Sequence, residues 1–90
     1  MKVFGYNNSF VVTQNNLDGL KAEDKSVANA KRRGYNIFFK LYDDDDILYY
    51  SGYLHENEED EFAPLDWGMA DSGCTRIDVR NPKTGKMETV

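Results

Sequence analysis

The sequence predicts an α+β domain: a small antiparallel sheet of about four to five strands, with one main helix and one short helix on one face. Three observations lead there. The apolar patterning switches between strand-like and helix-like periods in the order β-α-β-β-α-β-β. Clusters of Asn, Asp, Pro and Gly punctuate it at short intervals. Six Tyr, five Phe and one Trp supply large buried areas to a chain of only 90 residues, and a chain of that length buries only about 60–65% of its unfolded surface. Residues 1–90 read as a single domain.

The elements follow in order. Lys2 to Tyr6 predicts a short strand, Asn7-Asn8-Ser9 a turn, and Phe10-Val11-Val12-Thr13 a β-branched segment that continues or pairs with the first strand. Leu17 to Arg33 predicts the main helix. Leu17, Leu20, Val27 and Ala30 fall near one helical face, with Gln14-Asn15-Asn16 available to cap it. Gly19 weakens the first turn, and Asp24 or Ser26 can restart the helix, so Asp24 to Arg33 carries the stronger pattern. Lys31, Arg32 and Arg33 complement the negative end of the helix dipole, and Gly34 suits the position just past it.

Asn36 to Tyr42 and Ile47 to Leu54 predict a hairpin joined by an aspartate turn. Ile37, Phe39 and Leu41 share one face of the first strand; Phe38, Lys40 and Tyr42 share the other. Glu56 to Glu61 reads as a polar loop. Pro64 fits the first position of a short helix in which Leu65 and Met69 share a face and Trp67 anchors the segment, with Gly73 ending it. Thr75 to Asn81 and Lys86 to Val90 form a second hairpin around Asn81-Pro82-Lys83-Thr84-Gly85. The order contains βαββαβ, so a ferredoxin-like arrangement is one candidate topology.

The charge pattern is the most distinctive chemical signal. Net charge is −5, yet residues 1–42 sum to +4, residues 43–61 to −9 without a Lys or Arg, and residues 62–90 balance. Asp43, Asp44, Asp45 and Asp46 form one acidic cluster; Glu56, Glu58, Glu59, Asp60 and Glu61 form another. Like charges at this density repel, so a cationic partner is one need that would keep them together. The strand between them spans roughly 25 Å at about 3.3 Å per residue. That exceeds the screening length of about 8 Å in physiological salt, so the clusters act as two poles, and the hairpin alone predicts no continuous stripe.

Most catalytic chemistry is excluded. His55 is the only histidine and Cys74 the only cysteine, and nothing around Cys74 marks an activated nucleophile. One Cys and one His cannot complete a zinc site. Gly85-Lys86 lacks the remaining residues of a phosphate loop. A calcium loop alternates its ligands around a glycine, whereas Asp43 to Asp46 are consecutive and Ile47 follows. The reading therefore has no enzyme, no cofactor and no metal. Aromatic residues on a sheet can stack bases, but the nearby carboxylates repel phosphate, so no direct nucleic-acid contact is expected. With no apolar run long enough for a membrane span, no signal peptide at Met1 to Tyr6 and no disulfide, the expected location is the cytoplasm.

Protein binding fits what remains. Tyr brings large contact area at low entropic cost, and carboxylates steer basic partners and accept bidentate bonds from Arg. The candidate partner-binding residues are Asp43, Asp44, Asp45 and Asp46 with Tyr42, Tyr49 and Tyr50, and secondarily Glu58, Glu59, Asp60 and Glu61. In size, acidity and lack of catalytic residues, the chain looks like the small proteins with which phages disable host defences, the anti-CRISPR and anti-restriction proteins. That resemblance implies a stoichiometric inhibitor that docks on a basic nucleic-acid channel, for example of an RNA-guided nuclease, and mimics its phosphates. The competing reading is a plain interaction module or phage accessory in which the tyrosines are core and the aspartates only solvate.

Overall fold

A computed structural model describes residues 4–6 and 9–90; the expected strand residues Lys2 and Val3 and the turn residues Asn7 and Asn8 lie outside them. The elements are β1 (Phe4–Tyr6), β2 (Phe10–Asn15), β3 (Leu20–Lys21), α1 (Asp24–Arg32), β4 (Tyr35–Tyr42), β5 (Leu48–His55), α2 (Ala63–Ser72), β6 (Arg76–Arg80) and β7 (Met87–Thr89). Six strands lie in the order β1-β2-β5-β4-β6-β7, every neighbouring pair antiparallel, and the two-residue β3 pairs with the end of β2. The strand count exceeds the expectation because Phe4–Tyr6 and Phe10–Asn15 form separate, paired strands and β3 is an addition.

The ferredoxin-like candidate is not what forms. That arrangement is built on split βαβ units, whereas here β2 and β5 run antiparallel, and β6 joins β4 rather than β2. The free side of β2 is already taken by β1, so the last hairpin can extend the sheet only at β4.

The main helix is shorter than its sequence pattern. Asn15 Oδ1 accepts the amide protons of Leu17 (3.0 Å) and Asp18 (3.2 Å). This side-chain turn competes with the first helical turn and carries the chain into β3. Leu17 and Leu20 consequently stay about half exposed, at 49% and 45%. The helix begins after Glu23, which makes no side-chain cap, so the capping expected of Gln14 to Asn16 does not occur. Lys31 and Arg32 do occupy its last turn. Gly34 follows at φ +100°, where an added Cβ would lie 2.6 Å from His55 Nε2. That imidazole is held between the Arg33 carbonyl (3.0 Å) and the Asn57 amide, which donates to Nδ1 (3.1 Å).

The helices lie on opposite faces of the sheet, not on one. α2 places Leu65 in a core with Phe10, Val12, Phe39, Leu41, Tyr50, Leu54 and Ile77. Pro64, Leu65 and Gly68 form its inward side, while Met69 is 54% exposed, so Leu65 and Met69 do not share the buried face. α1 packs on the other face: Val27 lines a hollow with Phe38 and Tyr53, and Lys31 Nζ stands 4.9 Å from the centre of the Tyr53 ring. The reason lies in β4, which is apolar or aromatic on both sides and needs cover on both. Within the α2-side core, Phe10 meets Phe39 edge-on at 5.8 Å, and Trp67 leans on Tyr50 at 4.7 Å. Among the described residues no helix is long and apolar enough to cross a membrane.

Across the middle of the sheet Val12, Gly52 and Phe39 stand in one register. A Cβ on Gly52 would collide with the Val11 carbonyl oxygen and sit 3.0 Å from Phe39 Cζ. Because the obstruction is backbone, it cannot be relieved by a rotamer change. Gly52→Ala should therefore cost more than about 3 kcal/mol, and Gly34→Ala about 1–2 kcal/mol from its left-handed backbone, with further loss as His55 is displaced. Urea unfolding midpoints of the two variants against the parent chain test this ordering.

Candidate functional site

The aspartate turn is partly a structural device. Asp43 Oδ1 accepts the amide protons of Asp45 and Ile47, both at 2.9 Å. The amide bond from Ile47 holds the Asp43 carboxyl below its ordinary pKa, and the same carboxylate raises that of Tyr49. Asp46, at φ 60°, pairs with the Arg76 guanidinium. That guanidinium stacks 4.2 Å from the Tyr42 ring centre, and its Nε lies 3.3 Å from Asp78. Asp44 and Asp45 are exposed, and neither carboxylate has a hydrogen bond or ion pair among the described residues.

The three candidate tyrosines do not form one surface. Where Leu41 pairs with Tyr50 and Tyr42 with Leu48, Tyr49 is an extra residue, a bulge. A bulge interrupts the two-residue alternation of a strand, so both Tyr49 and Tyr50 pack against the α2-side core. Tyr50 is 3% exposed, and its hydroxyl meets Asp71 Oδ2 at 3.0 Å and Ser72 Oγ at 2.5 Å. It belongs to the core, which corrects its placement on a displayed contact surface. Tyr49 is half-buried, and Tyr42 lies on the opposite face under Arg76.

The second cluster divides in the same way. Glu58 Oε1 accepts the Asp60 amide proton, and Asp60 Oδ1 accepts that of Phe62 at the start of α2, both at 2.9 Å. Glu56 takes a bond from Asn36 Nδ2 at 2.7 Å. The Glu58 carboxyl is held below its usual range, chiefly by a bond from the Ser9 side chain. Glu59 and Glu61 are exposed, without a hydrogen bond or ion pair among the described residues.

What joins the two poles is α2. It starts beside Asp60 and ends at Ser72, next to the aspartate turn; Asp43 and Asp71 both act electrostatically on the Cys74 thiol. Its outer side carries Asp66 and Asp71, both exposed. Ser9, Asp60, Ala63, Asp66, Trp67, Ala70 and Asp71 line a groove of about 460 Å³, with Trp67 and the two alanines as its apolar part and three carboxylates at its rim. The acidic surface is thus a band along α2, Asp71 and Asp66 and then Asp60, with the aspartate turn beyond one end, while Glu61 lines a separate hollow with Glu58, Arg80 and Lys83. Asp66, Trp67 and Asp71 were missed when the sequence was read cluster by cluster. The available signal was that residues 43–75 contain no Lys or Arg, and that Ala63, Asp66, Trp67 and Ala70 are spaced for one helical face.

Cys74 and His55 lie at opposite ends of β4. His55 pairs with Tyr35, while the amide of Thr75, next to Cys74, donates to the Tyr42 carbonyl at 2.8 Å. Burial pushes the Cys74 thiol up to about 11, which disfavours thiolate at neutral pH. Among the described residues no three of His, Cys, Asp and Glu are grouped as metal ligands. No protein-family model matches the chain, and neither a curated protein nor a solved structure is detectably similar to it.

Two outcomes follow. Tyr50→Phe should lower stability by about 1 kcal/mol, the net worth of a hydroxyl's hydrogen bonding, without changing the fold seen by circular dichroism. The carboxyls of Asp43 and Glu58 have lowered folded-state pKa values, so the stability they contribute is present above the ordinary carboxylate range. It is lost as pH falls through their depressed values, below about pH 4. Urea midpoints measured from pH 6 to 2 should fall in that window, and the fall should be shallower in Asp43→Ala.

Proposed function

We propose that the protein is a non-enzymatic binding protein that lays its acidic α2 band on a basic, nucleic-acid-binding surface of another protein and blocks it by competition. The observation that supports this reading is the continuity of the band. Asp66 and Asp71 bridge two acidic poles that the β4–β5 hairpin alone would leave apart. Five residues of helix at about 1.5 Å each separate Asp66 and Asp71 by roughly 7.5 Å along the axis and by about 140° around it, so the two carboxylates flank the groove from either side. Trp67 in the groove adds an aromatic surface on which an arginine or lysine can rest.

Each part of the band has a role in the proposed contact. Asp44, Asp45, Glu59 and Glu61 stand free of internal partners and steer a cationic surface toward the molecule. Asp66 and Asp71 accept the central guanidinium bonds. Asp43, Asp46, Glu58 and Asp60 shape the loops that present them. An inhibitor of the anti-defence kind acts in this way, with carboxylates occupying sites meant for phosphates.

The test is a partner captured from host lysate, identified, and then measured as a purified pair. Its affinity should fall steeply between about 50 and 300 mM salt and should be competed by double-stranded nucleic acid. The double variant Asp66→Asn/Asp71→Asn should weaken binding by about tenfold or more, and Asp44→Asn/Asp45→Asn should chiefly slow association. A partner whose affinity ignores salt, nucleic acid and both double variants would reduce the chain to a plain interaction module.

A further inference from the structure

The sheet separates charge. On the α2 side, from Ala63 to Thr75, there are two aspartates and no Lys or Arg. On the α1 side, the helix contributes Lys25, Lys31 and Arg32, and the sheet contributes Lys40 from β4 with Arg76 and Arg80 from β6. The placement of the sheet cations follows from register. Lys40 pairs with Asp78 and Tyr42 with Arg76, so Phe38, Lys40 and Tyr42 share one face with Arg76, Asp78 and Arg80. Arg80 Cζ lies 4.9 Å and Lys40 Nζ 5.8 Å from the Phe38 ring centre. Asp78 and Asp46 neutralise Arg76, but Lys40 and Arg80 have no ion-pair partner among the described residues. α1 packs chiefly on β4, and at this corner of the sheet Arg80 is exposed and Lys40 half-buried.

Each molecule therefore carries an acidic groove with an apolar floor on one side and an open face of rings and cations on the other. We propose that copies of this chain associate head to tail, the α2 groove of one seating on the β4–β6 face of the next. Carboxylates of Asp66 and Asp71 would meet Lys40 and Arg80, and Trp67 with the exposed Met69 would cover Phe38 and Tyr42. The two surfaces differ, so the contact is heterologous and leaves one acidic and one basic end unsatisfied in every open assembly; it closes as a ring or grows as a chain. The favoured occupant of the open face is a second copy because the complementary surface, the carboxylates and ring of the α2 groove, is part of the same molecule. This inference rests on the α2 band being a docking surface for cations, as proposed above, but assigns it a different occupant.

Sedimentation of the purified chain tests it. The weight-average mass should rise with protein concentration at about 20 mM salt and return toward the monomer at about 500 mM, where the screening length shrinks to a few ångströms. Asp66→Lys/Asp71→Lys should remove the acidic end and Lys40→Glu/Arg80→Glu the basic end, each leaving a monomer. Each variant keeps one intact end. Mixing them unites the remaining intact basic face with the remaining intact groove, so association should return in the mixture, which two misfolded proteins would not give. A wild-type chain that stays monomeric at millimolar concentration and low salt overturns the proposal. So does a mixture that stays monomeric, or an oligothymidylate that binds the wild type and not Lys40→Glu/Arg80→Glu, which would assign the open face to nucleic acid. Capture of a basic partner that survives Lys40→Glu/Arg80→Glu would leave the proposed function standing even then.

Discussion

The close approach of three strands at Gly52 is the constraint on which the rest of the structure depends. Val12 and Phe39 flank this glycine from β2 and β4, and the Val11 carbonyl oxygen, with the Phe39 ring beside it, occupies the space where a side chain would stand. An aromatic ring over a glycine keeps the core dense while allowing the strands to come together. The β2–β5 and β4–β5 registers follow from it, and the bulges at Thr13, Asn36 and Tyr49 are where the pairing adjusts on either side of that point. The bulge at Tyr49 has the largest consequence, since it turns Tyr50 toward Asp71 and so ties the far end of α2 to the central strand.

That tie bears on the chemistry of the surface. α2 has an apolar inner side, and outside it carries Asp66, Ala70 and Asp71 with the exposed Met69; its two ends are fixed where the acidic loops begin. Asp60 meets the Phe62 amide at one end, and Tyr50 meets Asp71 and Ser72 at the other. Carboxylates far apart along the chain become neighbours on one band because a single short helix is pinned at both of them. The same pinning divides the acidic residues by role. Those bonded to backbone amides build turns, a use that costs little because the turn geometry already presents donors to them. Asp46, Glu56 and Asp71 bond to side chains, and Asp44, Asp45, Glu59 and Glu61 are left to solvent.

Placing the helices on opposite faces turns a charge asymmetry along the chain into one across the sheet. The basic residues of the first half lie largely in the α1 layer and on the β4–β6 face, and the acidic middle lies in the α2 layer. The separation is incomplete at the β6–β7 end, where Glu58 and Glu61 line one hollow with Arg80 and Lys83. The fold does not cancel the polarity of the sequence.

Much of this was legible from the sequence. The α+β class, the aspartate hairpin, the shared face of Ile37, Phe39 and Leu41, the Pro64 and Gly73 limits of α2 and the Asn81–Gly85 turn all follow from local preferences that the tertiary structure does not oppose. The false readings have one cause. Leu17 and Leu20 suit a helix by spacing, but Asn15 offers their backbone a turn; Tyr50 suits a displayed strand position by alternation, but a bulge reverses it. Periodicity assumes regular geometry, and side-chain hydrogen bonds and bulges are where geometry departs from it. Strand order, the sidedness of the two helices and the joining of Asp66 and Asp71 to the acidic loops were decided only in three dimensions. They depend on which edge of β2 or β4 is free and on which face of β4 each helix covers, and neither is a property of any segment read alone.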